Sequence, residues 1–370
     1  MVNGKIIAID ARMIEMSGIG TYIQHLMGQG IYDYAFGREE LIRNYDKDVK
    51  IIPYDAPIYS PREQLTFPNK EARNAGIQLV HFPHYNVPIS YQGKFVVTVH
   101  DLTHILMPEF LGNRMKYYYA RVLMRHALKK AEHIFTVSEN SKRDICSLYD
   151  IDAKKISITY DAVDMAFMKK EKAEIEYLYD KYDIPRDKII LLYVGNLKPH
   201  KNLRRLLEAL VLLEDKDDYC LILAGKAFTS LELKTQEAAL GVDNLVIHTG
   251  LVSKDELVDL YNLADLFVFP SLYEGFGIPP LEAMACGTPV AAANNSSIPE
   301  VVGDAAISFD ALSVESIADA ISTIHKPEII AELIKKGYER PHLFKWEETA
   351  ETVKDVIRSL YDDKNPNFYK

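Results

Sequence analysis

The sequence predicts an α/β protein with two Rossmann-like domains, each built on a doubly wound parallel sheet. Two observations predict this class. Short runs of β-branched residues alternate with helical patterns along both halves of the chain, and polar or glycine-containing loops follow several of the predicted strands. The length agrees, because 370 residues at about 150 residues per domain correspond to two domains. An apolar content of 48% is enough to build two cores.

The alternation is clearest in the second half of the chain. Its predicted strands cover residues 189–194, 219–224, 245–248, 265–269 and 289–293. Its predicted helices cover residues 202–213, 229–240, 254–263 and 280–286. Ser253 and Glu256 have the spacing of a capping box at the start of the third helix, and Gly287 marks the end of the fourth.

The first half repeats the scheme less regularly. Its strand candidates cover residues 5–9, 49–52, 78–82, 95–99 and 133–137. A charged run precedes a fresh strand between residues 170 and 187, so we place an N-terminal domain at 1–180 and a second domain at 181–345. Residues 346–360 form an amphipathic helical pattern that must pack on another element, and residues 346–370 are treated as a C-terminal segment.

Composition excludes several classes of protein. A formal net charge of −10 argues against nucleic acid as a partner, because binding to phosphate backbones needs clustered cations. Cys146, Cys220 and Cys286 are widely spaced and predicted to be buried free thiols, as expected in a reducing cytoplasm. The first apolar run is too short for a signal peptide, and no run of 18 apolar residues predicts a membrane span.

The run from Glu274 to Glu282 is the most informative segment for function. Two glycines let the backbone approach a ligand closely, and Pro279 and Pro280 favour the start of a helix. A helix N-terminus favours phosphate, and flanking carboxylates accept hydrogen bonds from hydroxyl groups. Phosphate together with several hydroxyls describes a nucleotide sugar. The alternative is an ordinary loop followed by a glutamate in the first turn of a helix.

The loop from Gly195 to Asn202 carries Lys198 and Lys201 to the start of the next predicted helix. This arrangement suits a diphosphate leaving group stabilised without a metal ion, although a solvated loop with two lysines is the alternative. No carboxylate pair or histidine and cysteine cluster predicts a metal site. Kinase and hydrolase classes are excluded, because the sequence has neither a GxxxxGK[ST] loop nor a GxSxG motif.

Two further segments follow strands in the first half. His100 and Asp101 come directly after strand 95–99, where the histidine can bond a sugar or phosphate and the aspartate can orient its ring. Gly18 and Gly20 form a small-residue turn after the first strand, without the third glycine of a dinucleotide fingerprint. A structural histidine and a plain tight turn are the alternatives.

Together these motifs resemble the retaining nucleotide-sugar glycosyltransferases of glycosyltransferase family four. The resemblance covers nearly the whole chain and extends to residues 137–144, 160–164, 285–290 and 297–300. It implies a GT-B fold, in which two Rossmann-like domains face a cleft. The N-terminal domain would bind the acceptor and the C-terminal domain the donor, and the last helix, 346–360, would cross back to the N-terminal domain.

The resemblance also implies a role for each matching residue. Glu274 would contact the donor sugar, Glu282 the ribose hydroxyls and Lys201 the diphosphate. His100 would contact the transferred sugar near the reacting carbon. The remaining residues would line the donor site through their backbone or beside the base: Gly18, Gly20, Leu251, Val252, Phe276, Gly277 and Ile278. No cofactor is expected beyond the nucleoside diphosphate sugar, which is a co-substrate.

One position departs from the family pattern. Many relatives have an arginine directly after the glycine equivalent to Gly195, whereas this chain has Asn196. Lys198, His200 or Lys226 are candidates to replace the missing cation. Lys198 and Lys226 rank first, because the charge of a lysine does not depend on pH near neutrality.

The segment 112–131 contains six Lys or Arg and no acidic residue. Arg114, Arg121, Arg125 and Lys129 fall on one stripe of a predicted helix. This stripe predicts contact with an anionic partner, either a lipid-diphosphate acceptor or the inner membrane surface. A solvated helix face is the alternative.

The favoured function is transfer of a hexose from a nucleoside diphosphate sugar to a hydroxyl of a glycan or glycolipid, with retention of configuration. GDP-mannose is favoured over UDP-glucose and UDP-N-acetylglucosamine, through likeness to bacterial surface-polysaccharide mannosyltransferases. Two alternatives stay open: a nucleotide-sugar epimerase of related fold, and a regulator that binds a nucleotide sugar without turnover.

Overall fold

A computed structural model describes residues 4–111, 114–226, 228 and 230–361, without the side chains of Ser17, Phe110 and Leu111. The chain divides into two compact units, Met1–Asp161 together with Lys345–Lys370, and Ala162–Phe344. Over the described ranges each unit is built on one parallel sheet, of seven strands in the first unit and six in the second. The prediction of two parallel α/β domains is confirmed.

The sheet of the first unit has the strand order β3-β2-β1-β4-β5-β6-β7. Its strands are β1 (Ile7–Asp10), β2 (Tyr34–Gly37), β3 (Lys50–Pro53), β4 (Leu79–Phe82), β5 (Phe95–Val99), β6 (His133–Thr136) and β7 (Ile156–Ile158). Its helices are α1 (Ser17–Met27), α2 (Glu39–Ile42), α3 (Pro61–Leu65), α4 (Asn69–Asn74), α5 (Thr103–Leu106), α6 (Arg114–Lys130) and α7 (Glu139–Tyr149), with α17 (Trp346–Ser359) from the C-terminal end.

The second unit has the strand order β10-β9-β8-β11-β12-β13. Its strands are β8 (Ile189–Asn196), β9 (Tyr219–Lys226), β10 (Val246–Gly250), β11 (Leu266–Phe269), β12 (Val290–Ala293) and β13 (Ala306–Phe309). Its helices are α8 (Lys172–Ile175), α9 (Tyr177–Lys181), α10 (Leu203–Leu212), α11 (Leu231–Leu240), α12 (Lys254–Leu263), α13 (Ile278–Ala285), α14 (Ile298–Val302), α15 (Val314–Ser322) and α16 (Pro327–Glu339).

In both sheets the chain reverses direction across the sheet at one point. The order changes between β1 and β4 in the first unit and between β8 and β11 in the second. Ligands of open α/β sheets bind beyond the carboxyl ends of the strands at such points. The core strands at these points, such as β1, β4 and β11, are buried along their whole length, so the loops that follow them start from rigid positions.

The division between the units comes earlier in the chain than the boundary predicted from the charged run. Residues 162–180 belong to the second unit, because they bond to α12. The Lys170 N–H donates to Asn262 Oδ1 at 2.7 Å, and the Tyr177 hydroxyl donates to Asp259 Oδ2 at 2.8 Å. The charged run is thus a part of the second unit that contacts α12.

Helix α17 belongs to the first unit. The Trp346 ring stacks on His25 of α1 with 4.2 Å between ring centroids. Trp346, Val353 and Ile357 are buried along one face of the helix, as the amphipathic pattern predicts. Residues 362–370 lie outside the described part of the chain.

Cys220 and Cys286 are buried free thiols, as predicted, and Cys146 is a half-buried one. Among the described residues, no helix is both long and apolar enough to cross a membrane.

Candidate active site

The candidate site lies at the carboxyl ends of β8 and β11, the neighbouring strands at the reversal point of the second sheet. The loop after β8 passes through a short 3-10 turn, Pro199–Lys201, before α10. The loop after β11 runs from Pro270 to Gly277 and leads into α13. Two sequence segments predicted to bind a donor therefore end at the same edge of the sheet.

Lys201 and Glu274 meet directly at this edge. Lys201 Nζ lies 2.7 Å from Glu274 Oε1 and 5.7 Å from the centroid of the Phe269 ring. Both side chains are only partly shielded, with 18% of Lys201 and 13% of Glu274 exposed. A cation and an anion that a ligand can still reach are thereby held side by side. The sequence-based prediction places both residues in one site, and the structure brings them together.

The side chain of Asn202 connects the two loops, a role that was not predicted from the sequence. Its backbone is left-handed at φ 58°, and its buried side-chain amide donates to the Pro270 carbonyl at 3.0 Å and the Ala311 carbonyl at 2.8 Å. Its Oδ1 accepts a hydrogen bond from Arg205 at 2.8 Å. An asparagine before a helix reads as an N-cap, so sequence alone gives no signal for these long-range bonds.

Two serines from the loop after β12 hold the segment that contains Glu274. The Glu274 N–H donates to Ser296 Oγ at 3.1 Å. The Ser297 hydroxyl approaches the carbonyls of Glu274 at 3.0 Å and Phe276 at 2.8 Å. These contacts fix the loop before any ligand binds, which lowers the entropy cost of binding.

The first turn of α13 follows this loop. Gly277 has φ 100°, a conformation that favours glycine, and buried Phe276 packs edge-on against Phe344 at 5.3 Å between ring centroids. Pro279 and Pro280 carry no N–H, so anion binding at this helix start would depend on the amides of Gly277 and Ile278. The predicted anion site at the start of α13 therefore has two backbone N–H donors, those of Gly277 and Ile278.

Glu282 lies one turn further along α13 and is half-buried. Its Oε2 accepts a hydrogen bond from the Tyr261 hydroxyl of α12 at 2.8 Å. Burial raises the pKa of Glu282 to about 7, with a smaller contribution from the charge of Asp164. Asp164 itself pairs with Lys254 at 2.7 Å. Glu282, which was predicted to bind the ribose hydroxyls, is therefore a carboxyl group that titrates near neutral pH.

Asn196 and Lys226 end the neighbouring strands β8 and β9 and are paired in the sheet register. The Asn196 Oδ1 accepts the Lys198 N–H at 3.1 Å, so the asparagine is used to shape its own loop. Lys198 and Lys226 are both exposed. A side chain on Gly225 would place its Cβ 1.9 Å from the Gly195 carbonyl oxygen, so these strand ends can approach closely because residue 225 is a glycine.

The residues predicted to lie near the base follow β10, which is the edge strand beside β9. Gly250 has φ 71° and turns the chain. Leu251 is 75% exposed after this turn, and Val252 is half-buried. An exposed leucine at a strand end offers an apolar surface on which a ring can pack.

In the first unit, His100 directly follows β5 and is half-buried. Its Nε2 lies 3.0 Å from the Pro83 carbonyl oxygen, so Nε2 is the protonated nitrogen and donates this bond, and its ring meets Tyr22 edge-on at 5.0 Å between centroids. Burial lowers the pKa of His100 to about 4, which keeps the ring neutral. Asp101 was predicted to orient this ring, but its Oδ1 accepts the Thr103 N–H at 2.8 Å instead. The contact of His100 with a transferred sugar stays a prediction.

Gly18 and Gly20 lie in the first turn of α1 and differ sharply in their surroundings. A Cβ on Gly20 would lie 2.6 Å from the Ile14 carbonyl oxygen, whereas a Cβ on Gly18 would have no atom within 4 Å. Gly20 is thus needed for packing of the helix start, and Gly18 borders open space. The donor-site role of both glycines stays a prediction, and open space for a ligand lies beside Gly18.

Two family models match this chain. Residues 175–340 match the model described as glycosyl transferases group 1. Residues 34–167 match the model described as glycosyltransferase family 4. The first match contains the Lys201 and Glu274 loops, and the second contains His100.

Curated relatives are similar over most of the chain. O-antigen chain mannosyltransferase B of Escherichia coli is 32% identical over 80% of this chain and 79% of its own length. O-antigen chain mannosyltransferase RfbU of Salmonella typhimurium is 28% identical over 79% of this chain and 76% of its own length. The serotype-specific mannosyltransferase WbdA of Escherichia coli is 33% identical over 73% of this chain, which covers 34% of that longer protein.

Solved structures are similar in fold. Sucrose-phosphate synthase of Thermosynechococcus elongatus has a TM-score of 0.78 and 20% identity, covering 96% of this chain and 99% of that one. Anabaena HepE in complex with UDP-glucose has a TM-score of 0.77 and 18% identity, with 96% and 99% covered. At these identities the likeness concerns the fold.

Proposed function

We propose that this chain, which belongs to the group 1 and family 4 glycosyltransferases, transfers a hexose from a nucleoside diphosphate sugar to a hydroxyl of a glycan or glycolipid. The observation that carries the proposal is the ion pair of Lys201 and Glu274 at the strand ends of the second sheet. One partner suits a diphosphate and the other suits sugar hydroxyls, so one small site can hold both halves of the donor.

Donor binding separates the two partners of this ion pair. The Lys201 ammonium group turns to the diphosphate, and the Glu274 carboxylate accepts hydrogen bonds from the sugar. The Gly277 and Ile278 amides add dipoles at the start of α13. Negative charge grows on the diphosphate as the glycosidic bond breaks, so Lys201 and these amides stabilise the transition state more than the ground state.

The transfer is proposed to retain the anomeric configuration. The bond from the anomeric carbon to the diphosphate oxygen breaks, and the acceptor oxygen forms its bond on the same face of the sugar. The acceptor proton passes to an oxygen of the departing diphosphate, which serves as the base. The reaction needs neither a carboxylate nucleophile nor a metal ion in this scheme.

GDP-mannose is the proposed donor. The support is likeness to the O-antigen relatives, which are mannosyltransferases. The competing donors are UDP-glucose, supported by the HepE complex, and UDP-N-acetylglucosamine. A thermal-shift screen of GDP, UDP, ADP and their sugars tests the choice, because a ligand of the native state raises its melting temperature.

Turnover separates the proposed transferase from its rivals. A transferase should hydrolyse GDP-mannose slowly without acceptor, and Glu274→Ala should abolish this hydrolysis. With acceptor, an α-linked product from the α-linked donor establishes retention, read from the one-bond carbon–proton coupling at the anomeric carbon. A changed donor sugar without acceptor would identify an epimerase, and tight binding with no turnover on any acceptor would identify a regulator.

A second proposal concerns α6, which follows Gly112 and Asn113, two residues outside the described ranges. Its solvent-facing side carries exposed apolar residues at helical spacing, Met115 at 78%, Tyr118 at 55% and Val122 at 59% exposure. Exposed Arg121 and Arg125 flank them. Apolar side chains between cations fit an anionic bilayer surface, so we propose peripheral membrane contact through α6.

Liposome sedimentation tests this contact. Vesicles with anionic lipid should retain more protein than neutral vesicles at low salt, and Arg121→Gln with Arg125→Gln should lose about 1 kcal/mol of binding per removed charge. Lys172→Gln, on a helix of the second unit, is a matched surface control. Equal retention on both kinds of vesicle would show that α6 is an ordinary solvated face.

A further inference from the structure

We infer that Tyr22 is a positioning residue for sugar transfer, because its buried ring fixes the orientation of His100, the residue predicted to contact the transferred sugar. This inference rests on the proposed function and adds a residue to its machinery. Tyr22 lies on α1 and is fully buried. Its ring plane is perpendicular to that of His100, with 5.0 Å between the ring centroids.

The ring of His100 is held by one hydrogen bond and one ring contact. The N–H at Nε2 donates to the Pro83 carbonyl at 3.0 Å, so the lone pair lies on Nδ1 and can accept a hydrogen bond from a sugar hydroxyl. A single hydrogen bond still allows the ring to rotate about it. The perpendicular contact with Tyr22 restricts this rotation, so the direction of Nδ1 depends on where the Tyr22 ring lies.

A chain of hydrogen bonds that runs in one direction holds the Tyr22 ring. The Tyr22 hydroxyl donates to Thr159 Oγ1 at 3.0 Å and accepts from the Thr98 hydroxyl at 3.4 Å. Because Thr98 uses its one hydrogen there, its oxygen accepts the bond of 2.8 Å from His81 Nε2. His81 Nδ1 then carries the lone pair and accepts from the Tyr32 hydroxyl at 2.6 Å.

The chain is buried along its whole length. Its five side chains are each at most 6% exposed, and it ends where the Thr159 hydroxyl donates to the Thr136 carbonyl at 3.4 Å. Burial lowers the pKa of His81 to about 3, which keeps the neutral form that the chain requires. A buried polar network whose members are bonded to one another favours a single arrangement of its side chains. Here that arrangement includes the Tyr22 ring.

Two further rings enclose Tyr22. The ring of His81 lies 6.4 Å from it between centroids, and the ring of Trp346 on α17 lies 6.3 Å from it. Trp346 is itself stacked on His25 at 4.2 Å. The Tyr22 ring is thus fixed by its hydroxyl at one end and by packed rings around it, so it presents an immobile surface to His100.

Transfer kinetics test the role of the ring. Tyr22→Leu removes the ring and should lower kcat by about 10- to 100-fold, the cost of a misplaced contact at the reacting sugar, with the donor KM changing less. Tyr22→Phe keeps the ring and loses only its hydrogen bonds, so it should retain most of kcat. Tyr91→Leu is the matched control, because Tyr91 is also buried in the first unit but packs on Phe82 and Phe95. It should lower the melting temperature as Tyr22→Leu does and leave kcat within about threefold of wild type.

A double-mutant cycle tests whether Tyr22 acts through His100. The variant that combines Tyr22→Leu with His100→Ala should have the same kcat as His100→Ala alone, since a residue that has been removed can no longer be positioned. The cycle with Tyr22→Phe should behave in the same way. It keeps the test open if Tyr22→Leu does not fold.

The titration of His100 tests the contact without any need for transfer. Burial lowers the pKa of His100 to about 4 against the opposing charge of Asp101, and burial also keeps the neighbouring His81 and His84 neutral, at a pKa of about 3. Removal of the Tyr22 ring should let water reach His100 and raise its pKa towards the ordinary value of 6.5.

Histidine side-chain NMR measures this pKa, with the signal assigned by its loss in His100→Ala. The His100 signal should not titrate between about pH 5.5 and pH 8 in wild type or Tyr91→Leu, and should titrate within that range in Tyr22→Leu. Tyr22→Met replaces Tyr22→Leu if the latter does not fold, since methionine adapts to irregular spaces in a core.

Three results would overturn the inference. The first is an equal loss of kcat in Tyr22→Leu and Tyr91→Leu at similar melting temperatures, because the ring would then act only through stability. The second is a double variant whose loss is the product of the two single losses. The third is a His100 signal that titrates alike in wild type and in the variant without the ring. If the wild-type protein transfers nothing, the proposed function fails, and the titration still decides whether Tyr22 controls the surroundings of His100.

Discussion

The polar strand ends of the two sheets are built differently. In the second unit, Lys201 and Glu274 carry full charges that remain partly exposed. In the first unit, the corresponding edge holds the neutral ring of His100 against the buried ring of Tyr22, and burial lowers the pKa of His100 to about 4. The edge of the second sheet that carries Lys201 and Glu274, here the second edge, is suited to a ligand whose charge changes during reaction. The edge of the first sheet that carries His100, here the first edge, is suited to holding a neutral ligand in a defined position.

The difference extends to how each edge is held in place. The loops around Lys201 and Glu274 are fixed by Asn202, Ser296 and Ser297. Within the described part of the chain, the Lys201 ammonium group and the Glu274 carboxylate hydrogen-bond only each other. At the first edge, the Tyr22 hydroxyl donates to Thr159 at 3.0 Å, and Gly20 packs directly on backbone. The second edge can therefore exchange an internal ion pair for contacts with a ligand, whereas the first edge keeps its internal bonds.

The largest expected effect comes from removing the cation. Lys201→Ala should lower kcat by about 10²- to 10³-fold, because one donor to the developing charge is lost. Steady-state transfer kinetics measure this loss. Lys198→Ala is the matched control on the same loop and should cost only a few-fold, since Lys198 is exposed. A kcat for Lys201→Ala within fivefold of wild type would mean that the two edges do not differ in electrostatic role.

Paired glycine variants test whether the first edge depends on shape. Gly20→Ala should destabilise the protein by about 1–3 kcal/mol through overpacking against the Ile14 carbonyl, read as a lower melting temperature. Gly18→Ala should melt at or slightly above the wild-type temperature, because alanine favours helix. Reduced transfer by Gly18→Ala with intact stability would support ligand approach there. Equal melting temperatures for the two variants would contradict the packing assigned to Gly20.

Glu282 should make the stability of the protein depend on pH. The folded pKa of about 7 lies above the ordinary value of 4.5, so the folded protein binds this proton more tightly than the unfolded chain. Its contribution to stability is present below pH 4.5 and is lost as pH rises towards 7 and beyond. Glu282→Gln should therefore gain melting temperature relative to wild type between pH 5 and pH 8.

Ionisation of Glu282 should raise the affinity for the donor as pH increases, although it lowers stability. The ionised carboxylate accepts stronger hydrogen bonds from hydroxyl groups than the protonated carboxyl group does, so wild-type affinity for GDP should rise by about 3- to 10-fold as pH increases through 7. Glu282→Gln should show a flat profile in this range. Parallel profiles for the two proteins would rule out Glu282 as the titrating group.

The smallest expected effect concerns the missing arginine. Lys226→Ala should raise the donor KM by about two- to fivefold, since an exposed charge contributes about 1 kcal/mol or less. The effect should shrink at high salt. Asn196→Arg in the Lys226→Ala background should restore the KM, because the two positions are neighbours in the sheet register. An unchanged KM in Lys226→Ala would leave Lys198 as the remaining lysine candidate.

Local patterns predict much of this fold and some of its site. Buried β-branched runs, such as residues 95–99, are found as strands. Strands β2, β7 and β13 were missed, because each is short and contains small or polar residues instead of a continuous β-branched run. Ser253 caps α12 as predicted, but the Glu256 side chain bonds Tyr182 instead of completing the capping box. A tertiary partner there overrides a local rule.

Candidate site residues were predictable from the sequence where a charged side chain follows directly after a predicted strand or its loop. Lys201 and Glu274 meet this condition. Tyr261 as a partner of Glu282 does not, because nothing in the spacing of two helices indicates that these side chains meet. Gly225 was missed for a similar reason, since the need for glycine arises from its φ of 142° and from the backbone of the neighbouring strand, neither of which a local pattern indicates.

The most direct test of the central claim measures binding of GDP and GDP-mannose by calorimetry to wild type, Lys201→Ala and Glu274→Ala, with the UDP pair as a parallel series. We expect Lys201→Ala to weaken the nucleotide and the nucleotide sugar alike. Glu274→Ala should weaken the nucleotide sugar and leave the plain nucleotide within about twofold of wild type. The account would be contradicted if Lys201→Ala bound GDP as wild type does, or if Glu274→Ala weakened GDP as much as GDP-mannose.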